Sequence, residues 1–297
     1  MEHWGFLLLC SHLGNPQRRP LTTAQLRTLS QRVLSGSPLE EARELSEKDL
    51  LALGYSGAFS QQILELLADQ ALLERYLQKA KARRCTPLAR NMPQYPAVVR
   101  RKLGSESPGC LWAKGDLSLL EKPMVSLVGC RELLPENRAF AEEAGRQAAR
   151  QGFVLVSGNA TGADQAAQES CLANGGRVIS VVPDALHSHL ERPNLLYLSE
   201  EDYDAPFSSL RALRRNRIIH TMGSLVFVAQ CREDHGGTWN GTTQNLRSHW
   251  TPVYAFQDGS PGAEALERQG AECIGRESLS NFASLPSAKQ SEIGNIL

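Results

Sequence analysis

The chain carries no excess of charge: 32 Lys and Arg balance 32 Asp and Glu over 297 residues. A neutral chain cannot hold a polyanion or an anionic membrane by overall charge, so any such binding must come from local clustering. Long apolar runs are missing as well. No stretch reaches the length of a membrane helix. Phe6-Leu7-Leu8-Leu9-Cys10 is apolar but short, and no basic segment leads into it, which argues against a signal peptide. No membrane partner is expected, and the expected setting is cytoplasmic. Cysteine is present without a pattern. The seven, at positions 10, 85, 110, 130, 171, 231 and 273, are odd in number and never spaced C-x-x-C. That excludes a fully paired disulfide framework and gives no zinc site, and reduced thiols are the simplest reading. G-x-G-x-x-G and the P-loop with its lysine are both absent, and no cofactor is indicated.

Charge clusters at one place. Arg211, Arg214, Arg215 and Arg217 put four arginines into seven residues, followed by the apolar run Leu225-Val226-Phe227-Val228-Ala229. Guanidinium groups beside a core strand suggest a positioned anion site, because the planar fork grips phosphate oxygens in pairs. A solvated helix face would also carry scattered arginines. However, Arg211, Arg214 and Arg215 stand at i, i+3 and i+4, so on a helix they repel one another. An anion would relieve that.

Two glycine turns point the same way. Val125-Ser126-Leu127-Val128 ends at Gly129, with Cys130 and Arg131 after it. Phe153-Val154-Leu155-Val156-Ser157 ends at Gly158, and Gly162 precedes a helical run from Asp164. A strand, a glycine turn and a helix start present backbone N–H groups to an anion. Strands are expected at 124–128, 153–157, 177–182, 225–229 and 252–256. Helices are expected at 136–151, 164–174, 208–221 and 240–248. This alternation predicts an α/β fold with a doubly wound, mostly parallel sheet, whose ligands bind outside the strand carboxyl ends.

Residues 1–80 predict a small helical N-terminal domain. Thr22-Thr23 and Ser46 read as helix caps. Gln61 to Lys81 shows apolar residues at helical spacing through Ile63, Leu64, Leu66, Leu67, Leu72, Leu73 and Tyr76. A basic stretch follows, with Lys79, Lys81, Arg83, Arg84, Arg90, Arg100, Arg101 and Lys102 and no acidic residue among them. Two readings stay open: a solvated linker, or an electrostatic path for a polyanion toward Arg214.

The order of the motifs resembles the DNA-processing protein A (DprA/Smf) family. Pro93 to Val99 and Leu111 to Leu117 are similar to its entry segment. Val125 to Arg131 resembles its V-A-I-V-G-S-R, and Ser157 to Asp164 its S-G-L-A-R-G-I-D. Arg214 to Ile219 matches its R-R-N-R-I-I, Gly236-Gly237-Thr238-Trp239 resembles its S-G-S-L, and Gly262 to Ala271 its closing motif. The resemblance implies a Rossmann-like domain over residues 81–275, preceded by a SAM-like helical module and followed by a tail, 276–297, without a winged-helix domain. This chain departs at Cys130 (Ser in the family), Thr161 (Arg), Trp239 (Leu) and Gly241 (Thr).

The resemblance also implies binding of single-stranded DNA and delivery of the strand to a RecA-type recombinase in natural transformation, with a homodimer as a further expectation. The implied phosphate and DNA contacts are Gly129, Arg131, Ser157, Gly158, Gly162, Asp164, Arg211, Arg214, Arg215, Asn216, Arg217, Gly237 and Trp239. Trp239 is the best stacking candidate. No catalytic residue or metal ligand is expected. Asp164 reads as a helix cap, His187 and His189 lack zinc-spaced partners, and His220, His235 and His249 lack a nucleophile. A nucleotide enzyme or sensor is the alternative, because Gly236 to Thr242 distantly resembles the Gly-Gly-x-Gly-Thr turn of nucleoside-monophosphate phosphoribohydrolases. Their glutamate after that turn is absent here. A protein-interaction scaffold that has kept the fold and lost the site is a third reading.

Overall fold

The computed structural model describes residues 4–35, 45–200 and 202–286. The chain forms two compact units. One holds residues up to Trp112 together with the segment 200–205, and the other holds Ala113–Ser199 and everything from Pro206 onward.

The first unit contains helices α1 (Gly5–Cys10), α2 (Thr23–Ser35), α3 (Glu47–Ala52), α4 (Gly57–Ala68) and α5 (Gln70–Ala82), then strand β1 (Thr86–Ala89) and helix α6 (Ala97–Leu103). The apolar run near the N-terminus is α1, and Leu7, Leu8 and Leu9 are buried. Each contributes roughly 2 kcal/mol by leaving water, so the run is core. Thr22 caps α2 through the Gln25 N–H at 3.3 Å, and Ser46 forms a capping box with Asp49 at the start of α3. The single helix expected from Gln61 to Lys81 is two. The chain bends at Asp69 (ψ 38°), whose carboxylate accepts Arg18 Nε at 2.7 Å.

The expected boundary near residue 80 falls inside this unit. Arg90 is the reason. It is buried, lies over the Phe6 ring at 4.5 Å, and donates to Ser30 Oγ and the Ser107 carbonyl. The basic stretch is therefore folded structure and not a linker. The returning segment completes the unit. Tyr203 packs on Tyr76 and Trp112 with centroids 4.8 and 4.9 Å apart, and the buried Asp202 accepts the Ser11 hydroxyl and the His12 N–H.

Strand β2 (Cys110–Gly115) leads into the second unit. There β3 (Met124–Val128), α7 (Pro135–Arg150), β4 (Val154–Ser157), α8 (Ala163–Ala173), β5 (Arg177–Val181), β6 (Leu195–Glu200), α9 (Ser209–Met222), β7 (Val226–Val228), α10 (Gly236–Ser248), β8 (Val253–Phe256), α11 (Pro261–Arg268) and β9 (Glu272–Ile274) follow in order. Strands β6-β5-β4-β3-β7-β8-β9 lie side by side and parallel. The chain adds strands outward from β3 to β6, then α9 carries it back to β7 on the other side of β3. The order reverses between β3 and β7, which makes this a doubly wound Rossmann-like sheet. Its topological switch point lies between their carboxyl ends.

Every residue of the central strands β3 and β4 is buried, as a parallel sheet covered on both faces requires. Helix α7 packs on α8, and α9 on α10. Strand β6, helix α11 and strand β9 add to the expected elements. The segment expected as a tail from residue 276 packs against the sheet as far as Pro286. Phe282 is buried against Phe153 and Phe227, and the Pro286 carbonyl accepts the Tyr254 hydroxyl at 2.9 Å. Residues 287–297 of that expectation lie outside the described residues.

Candidate functional site

A cleft of about 460 Å³ opens at the switch point, lined by the end of β3 and the turn after it, the loop after β7, the start of α8, one side of α9 and the first turn of α10. Three turns are tied together to form it. The Ala163 N–H at the start of α8 donates to the Cys130 carbonyl at 3.1 Å. Thr238 Oγ1, in the first turn of α10, donates to the Gly129 carbonyl at 2.9 Å. Asn216 of α9 donates through Nδ2 to the Gly237 carbonyl at 3.0 Å. A shift of any one element would therefore pull on the other two.

The glycines serve these approaches. A Cβ at Gly129 would lie 2.4 Å from the Cβ of Ala163, so the end of β3 can meet α8 only without a side chain. Gly162 has φ +88° and lies directly against the Cys130 and Arg131 carbonyls, a position that needs glycine twice over. Gly158 was expected to bring its backbone to a phosphate. Instead the Arg215 guanidinium occupies that space, and a Cβ there would sit 1.8 Å from Nη1.

Arg215 is the central cation. It is 7 % exposed, lines the cleft, and donates Nη2 to the Gly158 carbonyl at 2.7 Å and Nη1 to Asn216 Oδ1 at 3.1 Å. Its Nε is buried with no hydrogen-bond partner among the described residues. Burial lowers its pKa, and the charge of Asp164 works against that shift. Asp164 is buried too. Burial raises its carboxyl, while Arg215 and the Ala160 and Gly158 N–H groups hold it down. Its Oδ2 accepts the Ala160 N–H at 3.2 Å. Asp164 thus closes the Gly158 turn, and Gly162 stands at the helix cap where Asp164 was expected.

The first turn of α10 faces the same space. Gly236, Gly237 and Thr238 line the cleft, and the preceding residue, His235, makes no side-chain cap. The first amides of a helix have no partner within it, and the dipole gives that end roughly half a positive charge. Arg131, Arg232 and His235 stand around the opening. Arg232 pairs with Glu132 at 3.1 Å. Three arginines thus face two carboxylates, Glu132 and Asp164, with the helix end adding to the positive side.

The cleft therefore brings together Gly129, Arg131, Asp164, Arg215, Asn216 and Gly237 of the expected contacts. The other expected residues stand elsewhere. Ser157 is fully buried and accepts Gln168 Nε2 at 2.6 Å. Arg211 is buried and donates to Ser199 Oγ and the Pro206 carbonyl, so protein oxygens relieve its repulsion with Arg215. Arg214 is exposed and Arg217 half-buried, outside the lining. Trp239 is only 6 % exposed, which corrects its expected stacking role: a buried indole offers no face to a base. The aromatic ring at the cleft is Phe207, 55 % exposed, beside Leu213. Sequence reasoning missed it because Phe207 lies ahead of the arginine motif in no recognisable pattern. Arg232 and His235 were missed for a similar reason, as they follow β7 in a polar loop. Among the described residues no group of three His, Cys, Asp or Glu could hold a metal ion, and no helix is long and apolar enough to cross a membrane.

The chain is similar to known proteins. The DNA processing protein DprA of Bacillus subtilis is 27 % identical over 195 residues, covering 61 % of this chain and 65 % of that protein. The match thus spans just under two thirds of the relative's length. The Streptococcus pneumoniae DprA is 29 % identical over 192 residues, covering 60 % of this chain and 68 % of that protein. The solved S. pneumoniae DprA matches 90 % of this chain and 99 % of its own, with a TM-score of 0.67 at 22 % identity. DNA processing protein A from Helicobacter pylori, described for its single-stranded DNA binding mode, covers 67 % of this chain and 95 % of its own, with a TM-score of 0.56 at 24 % identity. At these identities the structures speak for the fold. The family model for DNA recombination-mediator protein A matches residues 86–283, a span that holds both glycine turns, the arginine-rich helix and the whole cleft. By that match the chain belongs to the DNA recombination-mediator protein A family.

Proposed function

We propose that the chain binds single-stranded DNA with little sequence preference in the cleft at the β3–β7 switch point, and passes the strand to a RecA-type recombinase in the cytoplasm, during recombination or natural transformation. The observation that carries this reading is Arg215, a buried guanidinium whose Nε has no hydrogen-bond partner among the described residues, beside the uncapped first turn of α10. A buried donor without an acceptor is costly unless a ligand supplies one, and a phosphate oxygen does so. Family membership supports the choice of nucleic acid, as does the single-stranded DNA binding of the H. pylori relative. Phe207 on the rim supplies the apolar face on which an unpaired base stacks. The role is binding and delivery, without chemistry on the strand.

The size of the cleft favours one second reading. About 460 Å³ falls within the range of small-molecule pockets, so a mononucleotide would fit. Competition decides between the two. Labelled oligo-dT bound to the protein should be displaced by unlabelled oligo-dT at far lower concentration than by thymidine monophosphate. Equal displacement would make the cleft a nucleotide site.

A further inference from the structure

The N-terminal unit carries cations that the cleft does not use. Helix α5 presents Arg75 and Lys79 at i and i+4, and Arg83 follows at i+8 where the helix ends. All three are exposed, as are Lys81 and Arg84 beside them. Arg75, Lys79 and Lys81 make no ion pair among the described residues. Arg83 lies over the Tyr203 ring at 5.8 Å, which fixes one end of the row against the core of the unit. Glu74 is the only acidic residue in the helix.

Lysines in a last turn complement the helix dipole. That accounts for Lys79 and Lys81, which stand in the last turn. It does not account for Arg75 in the middle of the helix or for Arg83 and Arg84 after it. Like charges at i and i+4 destabilise a helix, and here they recur at steps of about 6 Å along its axis. The face holds no large exposed apolar side chain. Those among the described residues of this unit, Val33 and Leu51, stand on α2 and α3. A protein partner would need a buried apolar centre, whereas a phosphate backbone needs only spaced cations.

We propose that the α5 row of Arg75, Lys79 and Arg83, flanked by Lys81 and Arg84, is a second nucleic-acid backbone site, separate from the cleft. This rests on the reading of the chain as a single-stranded DNA binder. The contact is electrostatic and blind to base sequence.

The test uses the full chain with the triple change Arg75→Gln, Lys79→Gln and Lys81→Gln. All three side chains are exposed, so the melting temperature should stay close to that of the parent. Binding of a long oligo-dT is measured across a salt series. The plot of log K against log salt should flatten by about 2, at roughly 0.7 for each lost phosphate contact on a single strand. A short oligo-dT that fills the cleft alone should bind parent and variant equally. If the parent binds long oligo-dT and the variant shows the same slope, the α5 site is overturned and the cleft reading stands. If the parent binds no oligo-dT at all, both fall. If the parent binds polyglutamate as tightly as oligo-dT and the triple change abolishes both, the row is a site for acidic protein and the proposal is overturned.

Discussion

Arg215 holds the Gly158 carbonyl with Nη2 at 2.7 Å, and its buried Nε has no hydrogen-bond partner among the described residues. Lysine in its place would keep the charge but bring one compact ammonium in place of a planar fork. It could not satisfy the Gly158 carbonyl, Asn216 Oδ1 and a ligand together. Arg215→Lys should therefore weaken oligo-dT binding about tenfold, equivalent to about 1.4 kcal/mol, in a fluorescence-anisotropy titration. Parent-like affinity would remove Arg215 from the account. Phe207 offers a cleaner test, because its ring is 55 % exposed and its loss costs the fold little. Phe207→Ala should lower affinity by about 1–3 kcal/mol if one base stacks on it, with an unchanged melting temperature. An unchanged affinity would show that the cleft holds phosphate alone.

At the scale of elements, α9 and α10 meet around a buried imidazole. His220 is 0 % exposed, its Nδ1 lies 3.3 Å from Asn245 Nδ2, and burial pushes its pKa down to about 3. An unfolded chain would titrate this group near 6.5. The folded pKa is the lower one, so the contribution to stability is complete above pH 6.5. It is lost as the pH falls from there toward 3, and amounts to a few kcal/mol at most. Thermal melts of the parent should drop steeply over that window, and His220→Gln should flatten the drop. Equal slopes in the two proteins would place the acid sensitivity elsewhere.

Elements also show what the sequence could and could not reveal. Unbroken apolar runs such as Leu225–Ala229 made the central strands legible, because a strand covered on both faces needs no alternation. The start of α10 was hidden. Gly236 and Gly237 are poor helix formers, so the helix was expected only from residue 240. Of the residues before it, Gly236, Gly237 and Thr238 are the ones that bring the helix end to the cleft. The Gly158 turn was expected to approach a phosphate. What approaches it is the protein's own Arg215, a contact between residues 57 positions apart that no local pattern encodes.

At the scale of the whole molecule, a neutral chain must concentrate its positive charge to hold DNA. We propose that it does so in the cleft of one unit and on α5 of the other. The central claim is that the cleft binds the phosphate backbone of a single strand. Its most direct test is the affinity for oligo-dT across a salt series. Log K should fall linearly with log salt, with a slope of about −1.4 or steeper, since each neutralised phosphate contributes about −0.7 and the cleft offers at least Arg131 and Arg215. A flat response, or equal affinity for an oligonucleotide and a mononucleotide, would contradict the account.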